Sequence, residues 1–294
     1  MKRSLLNGRI TPYLLLFPQL VITLIFFFYP AYEALFQSFM MSDPFGQKVN
    51  FVWFDNFKYL FASPEYIESA KITTIFSILT AITSVGLGLL FAALVDHIKS
   101  LKTTIQTLFI WPYAVAPAIS GILWLFLFHP SFGAIGHSLN QLLADGWNPI
   151  LDGADAMTLV IVAASWKQVS YNFVFFLSGL QSIPNNVIEA AAIDGAGPIR
   201  RFWKITIPLL SPTMFFLIVM NLVYAFFDTF GIIHTTTQGG PGGSTNILVY
   251  KVYTDGFVGL DLGGSAAQSV VLMTVAILLT YLQFRYVETK VQYA

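Results

Sequence analysis

Apolar residues along this chain come in long runs separated by short polar stretches. Six runs, at 13–36, 72–95, 104–128, 157–180, 207–230 and 266–286, approach or exceed the roughly 20 residues that a helix needs to cross a bilayer. Backbone groups in hydrocarbon have no water to pair with, so each run is predicted to be helical. Pro112 and Pro117 fall inside the third run and predict a kink there.

The longest polar interruption between runs on one side is 184–212, PNNVIEAAAIDGAGPIRRFWKITIPLLSP. Pro184 suits the first turn of a helix. Val187, Ile188, Ala191 and Ala192 then recur at helical spacing. Gly195 and Gly197 can take positive φ and stop that helix. A basic second element follows, with Arg200, Arg201 and Lys204 around Phe202 and Trp203, and with Pro208 and Pro212 leading into the next run. So brief a helix is not stable alone, because nucleation is costly. It needs support from its own protein or from a partner; a loop that merely joins two spans is the plainer alternative.

Composition agrees with a membrane protein. Of 294 residues, 56% are hydrophobic and 10% charged, against about 25% charged in soluble domains. Formal net charge is zero, so no overall field points to nucleic acid. The chain has no cysteine, which excludes disulfides, thiolate metal sites and cysteine nucleophiles. Lys2, Arg3 and Arg9 precede the first run, which is long and lacks a small-residue cleavage site, so it is expected to be a retained span. With the N-terminus inside, Lys99, Lys102, Arg200, Arg201, Lys204, Arg285 and Lys290 are also inside, while only Lys48, Lys58, Lys71 and Lys251 are outside. Segment 129–156 has no Lys or Arg but carries Asp145, Asp152 and Asp155, as suits the outside. The outer loops 41–70 and 234–265 either receive an external partner or simply cap the helix ends. In the latter, GGPGG reads as a flexible turn, and GGPGGST lacks the features of a phosphate loop.

Two polar stripes lie inside the runs. Lys167, Gln168, Tyr171 and Asn172 share one face of the fourth, and Asn221, Tyr224 and Asp228 share one face of the fifth. The rise from position 157 to Lys167 is roughly 15 Å and from position 207 to Asn221 roughly 21 Å, so both fall near mid-membrane. Ionisable groups at that depth are costly and usually functional. Either the stripes line a water-accessible pathway, with Lys167 attracting an anionic solute or balancing Asp228, or they are hydrogen bonds between helices. Gly86 and Gly88 in the second run allow close packing or, as the lesser alternative, a bend, and the spacing of His97, His129, His137 and His234 fits no metal site.

Glu189-Ala190-Ala191, then Gly195, Ile205, Ile207 and Pro208, resemble the EAA loop of permease subunits of ABC importers. The chain also resembles the carbohydrate-type binding-protein-dependent permeases from about Ala70 to Gln283, and a narrower likeness within that family, carried by YAVAPAISGILWLFLFHP, WKQVSYNF, QSIPNNVIEAAAIDGAGPIRRF, NLVYAFFDTF and SAAQSVVLM, covers about nine tenths of the chain. It implies an all-α fold of six spans, the type I importer permease fold, in the cytoplasmic (inner) membrane with both termini cytoplasmic. Segment 1–69 is then a cytoplasmic tail, first span and periplasmic loop, 70–287 the permease domain with its loop at 184–212, and 288–294 a cytoplasmic tail. The implied partners are a second related permease, a pair of ATPase subunits, a periplasmic solute-binding protein and membrane lipid. ATP and Mg belong to the partner ATPase, with no cofactor and no catalytic residue on this chain. Glu189, Ala190, Ala191, Gly195, Ile205 and Pro208 are the implied coupling residues, with Glu189 in an early turn where the helix dipole favours it. Within the family the likeness is strongest to importers of sn-glycerol-3-phosphate; another sugar or polyol is the alternative solute. A self-contained secondary transporter would show an inverted repeat, and a membrane enzyme a nucleophile–base or metal cluster; neither is evident.

Overall fold

The structure is a computed structural model, and it describes residues 11–42, 49–98, 102–143 and 146–290. Lys2, Arg3, Arg9, Lys48, Lys99 and Asp145, which entered the charge asymmetry, lie outside the described residues, as does the end of the tail at 291–294. The long helices are α1 (Pro12–Gln37), α3 (Pro64–Asp96), α7 (Gly153–Ser182), α9 (Pro198–Phe227) and α12 (Leu262–Lys290). The third run forms a broken pair, α4 (Lys102–Ala114) and α5 (Pro117–Leu127). Shorter helices are α2 (Asp55–Ala62), α6 (Ala134–Leu142), α8 (Asn185–Ile193), α10 (Phe230–Thr236) and α11 (Leu248–Tyr253). Strands Met40–Ser42 and Val49–Phe51 pair antiparallel, with Met40 opposite Phe51.

The kink expected in the third span falls at Pro117 and amounts to a full break, its halves meeting at 100°. Pro117 has no N–H to give the Tyr113 carbonyl, four residues back, so a regular helix cannot pass through the site. The fifth span starts earlier than expected and absorbs the basic element that was predicted to be separate. Pro198–Arg201 runs through a π-helical turn, Phe202–Thr206, into Ile207–Phe227. The helix then ends at Phe227, short of the predicted 230, with Asp228 donating its N–H to the Tyr224 carbonyl. Another π turn, Leu24–Phe28, interrupts α1. Each of these two turns ends two residues before a proline, Pro30 or Pro208. A proline ring in regular α geometry collides with the carbonyl four residues back, and widening the turn relieves the collision.

The chain divides into two compact units. In the first, which holds residues 1–63 and 252–271, the Asn56 amide donates to the Ser38 and Met40 carbonyls at 2.9 Å each and ties α2 to the strand pair. Phe39 sits among Phe51, Phe54 and Phe57. The second unit, 64–251 and 272–294, is built on α3 and α7 packed along their lengths, with α9 and α4 against them. Phe76, Ala92, Ala163, Phe173, Phe176 and Leu217 are fully buried there. Close approach of α3 and α7 depends on Gly88, where an added Cβ would lie 2.5 Å from the Asn172 Cβ. Gly86, two residues earlier, has nothing within 4 Å and is not a packing glycine. The GGPGG segment is closely wound, not flexible. Gly239, Gly242 and Gly243 all have positive φ, and Thr245 Oγ1 donates to the Gly240 carbonyl at 2.9 Å while meeting Thr237 Oγ1 at 2.7 Å.

Candidate functional site

The predicted short helix with its glycine stop forms, a hook between the fourth and fifth spans. Pro184 is the residue before the first turn of α8, and α8 closes with two hydrogen bonds that clasp its end. Ala196 N–H donates to the Ala191 carbonyl and Gly195 N–H to the Ala192 carbonyl, while Gly195 takes φ +80°. This crossed pair requires a left-handed residue at that place. Gly197 has φ −64° and is extended, so only Gly195 of the two predicted glycines does this work. Glu189 is the fifth residue of α8, beyond the first turn, and so lies outside the reach of the helix dipole. Glu189, Ala190 and Gly195 are exposed and Ala191 is half-buried; Ile205 is half-buried and Pro208 exposed, both within the fifth span.

No residue of α8 is buried. Ile193 is 87% exposed, and Ile199 and Trp203 beyond it are also exposed. A brief helix gains little from its own hydrogen bonds, and this one gains little from its own protein. One contact that ties it to the rest of the chain runs through Arg201, whose Nη1 donates to the Ile188 carbonyl at 3.4 Å.

A cavity of about 330 Å³ opens among α7, α9 and the break in the third span. It is at the small end of the range for ligand sites, roughly 300–1,000 Å³. Lys167, Gln168, Tyr171, Tyr224 and Asp228 line it, so five of the seven stripe residues are brought together. Tyr113, Pro117, Met220 and Val223 complete the wall. Those four were not predicted. Tyr113 and Pro117 lie in an apolar run whose only signal was its prolines, and Met220 and Val223 are apolar residues beside the stripe. Tyr113 and Tyr171 stack with centroids 5.7 Å apart. Lys167 and Asp228 share the cavity without a direct ion pair; instead the Lys167 ammonium donates to the Tyr113 carbonyl at 2.7 Å and the Val115 carbonyl at 2.6 Å. Asp228 is exposed at the C-terminal end of α9, where the helix dipole disfavours an acid.

Asn172 and Asn221 do not line the cavity. Both are fully buried and exchange amide hydrogen bonds of 3.1 and 2.7 Å between α7 and α9, with Asn221 also donating to the Leu217 carbonyl. Of the two readings offered for these stripes, this pair takes the structural one. Asn172→Leu or Asn221→Leu alone strands a buried amide and should destabilise by about 1 kcal/mol or more. The double leucine variant should lose less than the sum of the singles. Thermal unfolding of the assembled complex checks this, and strict additivity would show that the two amides are not a pair. Among the described residues no group of His, Asp or Glu is placed to hold a metal.

The comparisons with known proteins bear on this arrangement. The family of the binding-protein-dependent transport system inner membrane component matches residues 84–293. The chain belongs to that family. It is 56% identical to an sn-glycerol-3-phosphate transport system permease protein, UgpA, of Rhizobium meliloti, over the whole of both chains. It is 54% identical to the protein of the same name from Escherichia coli O157:H7, covering 99% of this chain and 98% of that one. The fold resembles a chain in the crystal structure of a bacterial ABC transporter that imports the acidic polysaccharide alginate, with TM-score 0.81, 22% identity and coverage of 95% and 96%. The family member is thus a multi-pass membrane permease with the ABC importer fold.

Proposed function

We propose that this permease imports sn-glycerol-3-phosphate across the cytoplasmic membrane, with both termini and α8 on the cytoplasmic side. One observation carries the coupling part: the motif helix α8 stands between the fourth and fifth spans with none of its residues buried. A helix so little supported by its own protein is suited to dock elsewhere, and the family's mode of action supplies a separate ATPase. A periplasmic binding protein, delivering solute to the outer loops, and a second permease fit the same reading. The likeness to relatives named for sn-glycerol-3-phosphate supports that solute.

ATP binding on the partner would draw its two subunits together and pull on α8. Four residues, 194–197, separate the end of α8 from the start of the fifth span at Pro198, and the bonds from Gly195 and Ala196 back to α8 limit the slack in them. The clasped end at Gly195 and the Arg201–Ile188 bond pass it to α9. The cavity wall contributed by Tyr224 and Asp228 belongs to the far end of that helix region and moves with it. In physical terms, a ligand on a remote subunit biases a two-state bundle.

In a strain lacking this gene, the restored complex should take up labelled sn-glycerol-3-phosphate only with the binding protein and ATP present, and should not take up maltose. Uptake of maltose instead, or uptake by this chain without an ATPase, would refute the proposal. Because the chain has no cysteine of its own, Ala190→Cys gives a clean topology probe. With the ATPase stripped from the membrane, it should react with an impermeant maleimide in inverted vesicles and not in intact cells.

A further inference from the structure

The break in the third span leaves two carbonyls without helical donors. Pro117 deprives Tyr113 of its partner, and the Val115 carbonyl lies in the turn between α4 and α5. Unpaired carbonyls at membrane depth are strongly disfavoured. Lys167, buried on α7, answers both: its Nζ lies 2.7 Å from one oxygen and 2.6 Å from the other, and 4.9 Å from the Tyr113 ring centroid. An ammonium has three protons to donate, and two are thus committed to the bend. The carboxylate that shares the cavity, Asp228, makes no ion pair with it.

We propose that Lys167 is a positioning residue that holds the third span broken. By capping the two carbonyls it fixes the turn, and with the turn the wall that Tyr113 and Pro117 give to the cavity. It acts on the solute through that wall. The polar stripe on α7 is thereby divided by role: Lys167 builds the cavity, Asn172 staples α7 to α9, and Gln168 and Tyr171 are left to face the contents. The consequence for uptake rests on reading the cavity as part of the pathway. The consequence for the bend does not, so the two are separable by experiment.

Spin labels on Leu108→Cys and Phe126→Cys, both exposed positions on either side of the break, report the bend in a complex made otherwise cysteine-free. The complex with Lys167 should give one narrow distance distribution. Lys167→Met should shift it to longer distance by about one helical turn, roughly 5 Å, and broaden it. An unchanged distribution in a Lys167→Met complex, whether or not uptake is lost, would overturn the proposal. If Lys167→Met does not assemble, Pro117→Ala/Lys167→Met decides. The alanine returns an N–H to the Tyr113 carbonyl as the span straightens, so assembly and thermal stability should recover while uptake stays low. Failure of this second variant to recover assembly would also overturn it, since a lysine needed only for solute has no reason to be rescued, or made dispensable, by a backbone donor at 117.

Discussion

Gly195→Val is expected to lower binding-protein-dependent uptake about tenfold while leaving the spans assembled. Gly195 has φ +80° and an added Cβ would meet nothing within 4 Å, so the position is roomy and the penalty is purely conformational. An L-residue in the left-handed region costs roughly 1–2 kcal/mol, more when β-branched, which is enough to shift a local equilibrium by the stated factor. What gives way is the clasp. If φ reverts to negative values, the bonds from Gly195 to Ala192 and from Ala196 to Ala191 are lost, and α8 frays toward Ile193. A frayed hook transmits no force. Substitutions should rank by tolerance of positive φ: glycine best, asparagine next, alanine lower, valine lowest. Solute-stimulated ATP hydrolysis by the reconstituted complex should follow the same order, with basal hydrolysis affected less. Equal activity of the asparagine and valine variants would mean that the left-handed turn is not needed for coupling.

Much of the fold was legible because bilayer thickness and backbone pairing leave few options. The predicted runs 13–36 and 72–95 correspond to α1 and α3 within a few residues at most boundaries. Gly195 was legible for a similar reason, since only one residue type is at ease in a left-handed turn. Prolines proved harder to read. Pro117 and Pro208 both deny a carbonyl its donor, yet the chain widens into a π turn ahead of Pro208 and folds over by 100° ahead of Pro117. Periodicity cannot separate these outcomes. The difference lies on another helix, where Lys167 is within reach of the freed oxygens at the break.

The polar stripes show the same limit in a finer form. Spacing placed Lys167, Gln168, Tyr171 and Asn172 on one helix face, and that was sound. It gave no sign that Asn172 would find Asn221 and leave the cavity wall, because pairing depends on how α7 and α9 cross. Nor did it give Tyr113 or Pro117, whose place in the wall follows from the bend. What a sequence pattern supplies is the face of one helix; the partner across it comes from packing.

Gly88→Leu should abolish assembly of the complex, and even Gly88→Ala should reduce it sharply, whereas Gly86→Ala should be silent or slightly stabilising. The two glycines stand two residues apart on α3, so helix propensity, depth and composition are nearly identical for both. Alanine is the better helix former by about 1 kcal/mol at either site. Packing alone separates them. A Cβ on Gly88 would come within 2.5 Å of the Asn172 Cβ and 3.2 Å of the backbone of Asn172 and Phe173, while one on Gly86 meets open space. Overpacking of this kind typically costs about 1–3 kcal/mol. Here the cost grows, because the atom displaced belongs to the Asn172–Asn221 pair. Pushing Asn172 aside to admit a methyl group strands two buried amides as well as parting α3 from α7. Recovery of the assembled complex from detergent and its unfolding temperature give the measurement. Equal effects at the two positions would show that close approach at Gly88 is not what joins these helices. A Gly88→Ala loss that Asn172→Ala partly restores would locate the conflict at the single pair of Cβ atoms that the structure brings together.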